Sequence, residues 1–129
     1  MYNSFSKKFS EIKLIDFSLI EDSRGYFIKP FSKKSYENFR VSEVFCSVSH
    51  KNTIRGMHLQ KKPYELKKIV TCIDGEILDV VIDLRKDSDT FGEIDEFKLN
   101  KKEGSIYIPE GFGHGFSVLS ETATILYIQ

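Results

Sequence analysis

Two of the three histidines in this chain lie in short stretches whose residue types suit acid–base chemistry. His58 lies in IRGMHLQ, residues 54–60, close behind Arg55 and a glycine. His114 lies in PEGFGHGF, residues 109–116, among glycines and aromatic residues. A neutral imidazole is a common general base and also a common metal ligand, so the neighbouring residues must decide between these two uses.

The arginine and the histidine of the first stretch are spaced unusually for a strand. Arg55 and His58 are an odd number of positions apart, so in a regular strand they would point to opposite faces. Gly56 lies between them, and a glycine inside a strand favours a bulge or a kink. We therefore expect both side chains to address one cavity.

The elements that must position these residues are short apolar segments separated by turn residues. Segments rich in Ile, Val, Phe and Tyr recur from KLIDFSLI (13–20) to TILYI (124–128), which is typical of an all-β sandwich or barrel. One short helix is predicted over SKKSYENF (32–39), with Ser32 as its cap.

The central part of the chain predicts a hairpin. Asp74 and Gly75 form a strong two-residue turn signal between two apolar runs. In the second arm the side chains alternate between two faces, with Leu78, Val80, Ile82 and Leu84 on one and Asp79, Val81, Asp83 and Arg85 on the other. The carboxylates then either line a polar pocket inside a barrel or form the solvated outer face of an edge hairpin.

Length and charge restrict the class of protein. The 129 residues predict a single domain (1–129), and the balance of 19 Lys and Arg against 19 Asp and Glu argues against nucleic-acid or anionic-membrane partners. No apolar run approaches the ~20 residues that cross a bilayer. Cys46 and Cys72 lack CxxC spacing and are expected to be buried and reduced. Without a leader pattern, a cytoplasmic protein is expected.

Both histidine stretches resemble cupin motifs. PEGFGH has the proline-x-glycine-x-x-histidine form of the second motif, and GMHLQ followed by Glu65 is similar to the first. A metal held by His58, Glu65 and His114 would keep one open position, as a catalytic metal needs. Metal-binding cupins usually carry a second histidine where this chain has Gln60, so no metal is predicted.

Four stretches taken together resemble the dTDP-4-dehydrorhamnose 3,5-epimerases, a cupin-fold family that works without a metal or other cofactor. The stretches are DSRGYF (22–27), IRGMHLQ (54–60), KKIVTCIDGEILDVVIDLRKDSDTFG (67–92) and IPEGFGHGFSVLSETATILY (108–127). They run in family order and cover most of the chain from residue 22 onwards. The resemblance implies a cupin-type antiparallel β-barrel or jelly roll that assembles as a homodimer.

The resemblance also implies a division of chemical roles. Inverting a carbon next to the 4-keto group of a nucleotide-linked sugar needs a base, a group that stabilises the enolate, and an acid on the opposite face. The matching residues are His58 as the base, Lys68 near the enolate and Tyr127 as the acid. Further matches make up a substrate-binding set of Arg24, Phe27, Arg55, Gln60, His114 and Asp83. In that set Arg24 and Phe27 come from the neighbouring subunit, and Asp83 orients His114 or Arg55.

The chain departs from the family pattern at several points. Lys29 stands where the pattern has a glutamate, and Glu43 and Phe45 stand where it has the glutamine and asparagine near the nucleotide. Typical members continue into a C-terminal segment that carries the aspartate partner of the catalytic histidine. We therefore expect Asp79, or a backbone carbonyl, to orient His58 instead.

Two other functions remain open from the sequence. The sugar 3,4-ketoisomerases are a related cupin group that uses the same enolate chemistry. Their typical motif is arginine-glycine-x-histidine-alanine-histidine, whereas this chain has Leu59 and Gln60 in the last two places. The second alternative is a non-catalytic or metal-binding cupin that binds a sugar nucleotide or only dimerises.

Overall fold

The computed structural model describes residues 2–6, 8–17 and 19–129. Within these ranges the chain forms twelve strands and no helix. The strands are β1 (Tyr2–Phe5), β2 (Lys13–Ile15), β3 (Ile20–Asp22), β4 (Gly25–Phe27), β5 (Val44–His50), β6 (Ile54–His58), β7 (Lys68–Asp74), β8 (Glu76–Asp83), β9 (Ile94–Asn100), β10 (Ser105–Ile108), β11 (Phe112–Val118) and β12 (Thr122–Ile128). The all-β prediction is confirmed.

Two antiparallel sheets make up most of the described chain. The larger sheet has the order β1-β2-β10-β7-β12-β5, the smaller one has the order β6-β11-β8-β9, and β3 pairs with β4 in a separate ribbon. From β7 onwards the chain passes repeatedly from one sheet to the other, and only β8 and β9 are consecutive strands that pair. The predicted strand KLIDFSLI is divided between β2 and the start of β3, and Ser18 lies outside the described residues.

The predicted hairpin at Asp74 and Gly75 is wrong, because this turn joins the two sheets. β7 lies in the larger sheet and β8 in the smaller one. Gly75 has φ +79°, and a Cβ at this position would overlap the carbonyl oxygen of Thr122 and lie 2.8 Å from the Cα of Ala123. A residue with positive φ is needed both in a two-residue hairpin and in a turn that carries the chain from one sheet to the other. The Asp-Gly pair therefore does not distinguish the two kinds of turn.

The main core lies between the two sheets. The larger sheet contributes residues such as Val70, Ile106 and Ile125, and the smaller one contributes Ile77, Val81 and Phe116. Asp79 and Asp83 share the inward face of β8 with Ile77 and Val81, and both aspartates are fully buried. A solvated outer face for these carboxylates is therefore excluded. Both lie on the inward face as buried groups, but neither lines the cavity between the two sheets.

The predicted helix over 32–39 is wrong, because this segment forms successive turns. Its backbone bonds join residues three apart, as from the Ser35 N–H to the Ser32 carbonyl and from the Phe39 N–H to the Tyr36 carbonyl. The Ser32 hydroxyl does accept a bond from the Ser35 N–H, as expected of a cap. The turns pack Phe31, Tyr36 and Phe39 against the outer face of the larger sheet.

The two cysteines differ in burial. Both thiols are free, but Cys72 is buried on β7 whereas Cys46 is exposed on β5. The prediction that both are buried is wrong for Cys46, because β5 is the edge strand of the larger sheet and Cys46 faces outward with Val44 and Val48. No helix in the described ranges is long and apolar enough to cross a membrane.

Candidate active site

A cavity of about 560 Å³ opens between the two sheets. Strands β5, β7 and β12 line it from the larger sheet, and β6 and β11 line it from the smaller one. Six of the predicted site residues lie in its wall: Arg55, His58, Gln60, Lys68, His114 and Tyr127. Residues that are far apart in sequence are thus brought to one place by the packing of the sheets.

Arg24 and Phe27 do not reach this cavity in the same chain. They lie on the β3–β4 ribbon and line a separate surface depression. The Arg24 side chain is 88% exposed and forms a 2.6 Å ion pair with Asp22. Phe27 is also exposed. Any contact of these two residues with the cavity would have to come from another copy of the chain.

The bulge predicted at Gly56 is present. His58 lies opposite His114 and Arg55 lies opposite Phe116, so three steps along β6 match two steps along β11. Gly56 has φ +102°, and a Cβ there would lie 2.6 Å from the His114 carbonyl oxygen. The extra residue turns Arg55 and His58 to the same side, and the prediction that both face one cavity is confirmed.

Gly56→Ala is expected to lower the free energy of unfolding by about 2 kcal/mol, because it combines an unfavourable φ with a backbone overlap. The matched control is Gly92→Ala, since Gly92 has φ +81° but open space around a Cβ. Chemical denaturation of both variants separates the two effects. Equal losses in the two variants would show that the close approach of β6 to β11 contributes nothing.

His114, in the cavity wall, forms a buried pair with Asp79. His114 Nε2 and Asp79 Oδ2 are 2.7 Å apart, and both side chains are almost completely buried. Burial raises the pKa of Asp79, and its second oxygen, Oδ1, has no hydrogen-bond partner among the described residues. This pair fixes the ring of His114 and uses one of the two oxygens of the Asp79 carboxylate.

The structure therefore corrects two expectations about aspartates. Asp79 orients His114 and not His58, and none of the described residues hydrogen-bonds to the exposed ring of His58. Asp83 does not orient His114 or Arg55. It lies on the same face of β8 as Asp79 but four residues further along, roughly 13 Å away at the rise of a strand, where the loop after β8 encloses it.

The carboxylate of Asp83 is surrounded by donors from this loop. It accepts bonds from the backbone N–H and the guanidinium of Arg85 and from the hydroxyls of Ser88 and Thr90, at distances from 2.6 to 2.9 Å. The guanidinium of Arg85 also reaches Glu11 at 2.7 Å. Asp83 is thus a structural residue that ties the β8–β9 loop to the end of the sheet.

Burial shifts the titration of two cavity residues. It lowers the pKa of Lys68, while the nearby charge of Asp79 acts in the opposite direction. It raises the pKa of Tyr127, so the phenol keeps its proton at neutral pH and can donate it. Arg55 Nε donates to Ser49 Oγ at 2.8 Å, which fixes the guanidinium at the cavity wall.

The residues considered as a metal set do not come together. Glu65 lines a separate depression, away from His58 and His114. No group of three His, Cys, Asp or Glu side chains suited to a metal occurs in residues 2–6, 8–17 and 19–129.

Sequence reasoning singled out Phe45 of β5 only as a departure from the family pattern, and it missed Ser47 and Ser49 of the same strand. Phe45 and Ser47 line the cavity, and Ser49 bonds to Arg55. These residues alternate along the strand and share the inward face with Tyr127, which lies directly opposite Phe45. Two serines at alternate positions of an otherwise apolar strand are the signal that could have identified this wall.

Comparison with known proteins identifies the family. The family profile described as dTDP-4-dehydrorhamnose 3,5-epimerase matches residues 6–129. The chain belongs to this family. The dTDP-4-dehydrorhamnose 3,5-epimerase of Shigella flexneri is 35% identical over 131 residues, which cover 97% of this chain and 72% of the relative. The chain spans 56% of the length of another relative, the dTDP-4-dehydrorhamnose 3,5-epimerase of Mycolicibacterium smegmatis.

Solved structures of family members have the same fold. The epimerase RmlC of Legionella pneumophila, in complex with dTDP-4-keto-L-rhamnose, superposes with a TM-score of 0.89 at 34% identity and covers 99% of this chain and 71% of that one. The 3′-monoepimerase ChmJ of Streptomyces bikiniensis, in complex with dTDP-quinovose, has a TM-score of 0.88 at 27% identity and covers 97% of this chain and 66% of that one. The predicted cupin-type jelly roll is confirmed.

Proposed function

We propose that this chain epimerises a nucleotide-linked 4-keto-6-deoxy sugar, inverting C3, C5 or both through an enolate. The observation that carries the proposal is that His58 and Tyr127 line one cavity from different sheets, β6 in the smaller sheet and β12 in the larger. A sugar ring between the sheets would have one of these residues on each face. Inversion needs this arrangement, because the proton must leave one face and return to the other.

The proposed steps use three side chains. His58 takes the proton from the carbon next to the keto group, and the electron pair of that C–H bond passes into the enolate. The ammonium of Lys68 stabilises the developing charge on the enolate oxygen, a preorganised interaction that contributes about 3 kcal/mol in comparable sites. Tyr127 then donates its phenol proton to the opposite face. The cycle closes when His58 releases the proton it took to solvent and the Tyr127 phenolate regains one from solvent.

The relatives support the class of substrate. Two of them were solved with dTDP-linked deoxy sugars bound. In this chain Arg55, Gln60 and His114 lie in the cavity wall beside the three acting residues and are proposed to bind the nucleotide sugar. Which nucleotide and which sugar this chain accepts depends also on Glu43 and Phe45, which differ from the family pattern.

A homodimer is part of the proposal. The outward face of edge strand β5 exposes Val44 and Val48, 60% and 63% accessible, and an apolar edge strand favours pairing with another chain. A second copy could also bring Arg24 and Phe27 to the cavity. We expect a dimer in sedimentation velocity at micromolar concentration, and a monomer would contradict this part of the proposal.

The function is tested by incubating the protein with a dTDP-linked 4-keto-6-deoxyhexose in heavy water. Deuterium at C3, at C5 or at both carbons distinguishes a single-centre epimerase from a double one, as ChmJ and the 3,5-epimerases differ among the relatives. A 3-keto product would indicate a ketoisomerase. Absence of exchange would favour a non-catalytic binding protein, and metal analysis of the same preparation tests the metal-binding alternative.

A further inference from the structure

The ring of Phe45 lies flat against the ring of Tyr127 at the cavity wall. Their centroids are 4.8 Å apart and their planes differ by 17°. The two residues are directly opposite each other on β5 and β12, where cross-strand side chains are close enough to pack. Phe45 remains 43% exposed while Tyr127 is half-buried, so Phe45 covers the tyrosine ring on its outer side.

Polar contacts hold the phenol only loosely. Tyr127 Oη and Ser47 Oγ are 3.4 Å apart, well beyond the ordinary length of a bond between hydroxyls. The orientation of the ring therefore depends on packing, against the main core on one side and against Phe45 on the other. β5 is the edge strand of the larger sheet, so no further strand of the described residues packs beyond Phe45.

We propose that Phe45 is a positioning residue that holds the Tyr127 phenol toward the substrate and so determines what fraction of enolates is inverted. This inference rests on the proposed epimerase function. Without the stacked ring, Tyr127 can turn away while His58 still forms the enolate, because His58 lies on the other sheet. The asparagine that the family pattern has here offers no such ring surface.

The stack can be tested without substrate by NMR of ¹³C-tyrosine-labelled protein, with the Tyr127 signal assigned from Tyr127→Phe. In Phe45→Leu we expect the Tyr127 ring signals to lose their ring-current shift. We also expect the phenol to titrate at lower pH, because the burial that raises its pKa is reduced. Phe45→Trp keeps a stacked ring and should retain both features. The matched control is Phe91→Leu, which removes an exposed ring of the β8–β9 loop.

The catalytic consequence is measured as the ratio of inversion to solvent exchange in heavy water. Phe45→Leu should lower this ratio about fivefold, within the range that one stacked aromatic pair can account for. Exchange and inversion start from the same bound substrate, so the ratio does not depend on how tightly the variant binds it. Phe45→Trp and Phe91→Leu should keep the wild-type ratio. Thermal unfolding of each variant confirms that the fold is retained.

The outcomes separate this inference from the function on which it rests. Unchanged Tyr127 signals in Phe45→Leu overturn the proposal whatever the activity, and altered signals with an unchanged ratio overturn it as well. If the wild-type protein exchanges no deuterium, the epimerase function fails and with it the catalytic consequence. The NMR comparison then still decides whether Phe45 holds the Tyr127 ring.

Discussion

His58→Asn is expected to abolish deuterium entry into the sugar, whereas Tyr127→Phe is expected to allow entry and suppress inversion. The asparagine amide cannot accept the α-proton, so no enolate forms. The phenylalanine ring fills the same space without a hydroxyl, so the enolate forms but can be reprotonated only from its original face. Loss of a positioned acid or base slows the affected step by roughly 10²- to 10⁴-fold.

Mass spectrometry and NMR of the recovered sugar measure the two steps separately. Matched controls are His50→Asn on the edge strand and Tyr64→Phe on the exposed loop after β6, since neither residue lines the cavity. Equal loss of exchange and inversion in both variants, with folding and nucleotide binding intact, would reject the division of roles. If Tyr127→Phe inverts normally, the tyrosine only packs and another group returns the proton.

Asp83→Ala is expected to lower the free energy of unfolding at pH 7 by about 3 kcal/mol. The change removes the acceptor for Arg85, Ser88 and Thr90 in a fully buried position. The expected loss is at the lower end for a broken buried ion pair, because Arg85 keeps Glu11 as a partner and 32% of its side chain remains exposed. Urea denaturation with unchanged slope is the measurement.

The pH dependence of this loss has a defined sign. Hydrogen bonds from Arg85, Ser88 and Thr90 hold the pKa of Asp83 well below its usual range. A carboxyl with a lowered folded-state pKa stabilises the fold above its unfolded-state value of about 3.9, and this contribution is lost as the pH falls toward the folded-state value. The difference between wild type and Asp83→Ala should therefore be constant near neutral pH and shrink below about pH 4.

An exposed ion pair provides the control for this prediction. Glu121 contacts Lys51 at 2.9 Å, but its side chain is 87% exposed. Glu121→Ala should cost less than about 1 kcal/mol, because solvent screens such pairs. If Asp83→Ala costs no more than Glu121→Ala, the bonds of Asp83 do not stabilise the β8–β9 loop in the way that its geometry indicates.

Features of the site that depend on local spacing were predictable from the sequence. The odd separation of Arg55 and His58 around Gly56 predicted a bulge that turns both toward one cavity, and the register of β6 against β11 has this bulge. The alternation along β8 likewise placed Asp79 and Asp83 on one face. Such conclusions hold because strand parity and glycine conformation are properties of a few consecutive residues.

Other features were decided only by the tertiary structure. Asp74 and Gly75 predicted a hairpin because the signal reports a positive φ, whereas the sheet to which each flanking strand belongs depends on distant partners. The segment 32–39 has the pattern of a short helix, but its aromatic rings are buried against the larger sheet as turns. Cys46 is exposed because its strand lies at an edge, which its neighbours in sequence do not reveal.

The sequence by itself determined the all-β class, the family and the residue types available for proton transfer. The partner of each residue was determined by packing: Asp79 and not Asp83 bonds to His114, and Phe45 covers Tyr127. Parity along a strand assigns a side chain to a face, but several residues share each face. Which of them meet depends on the register and stacking of strands that are far apart in the chain, and these are set when the two sheets close on their common core.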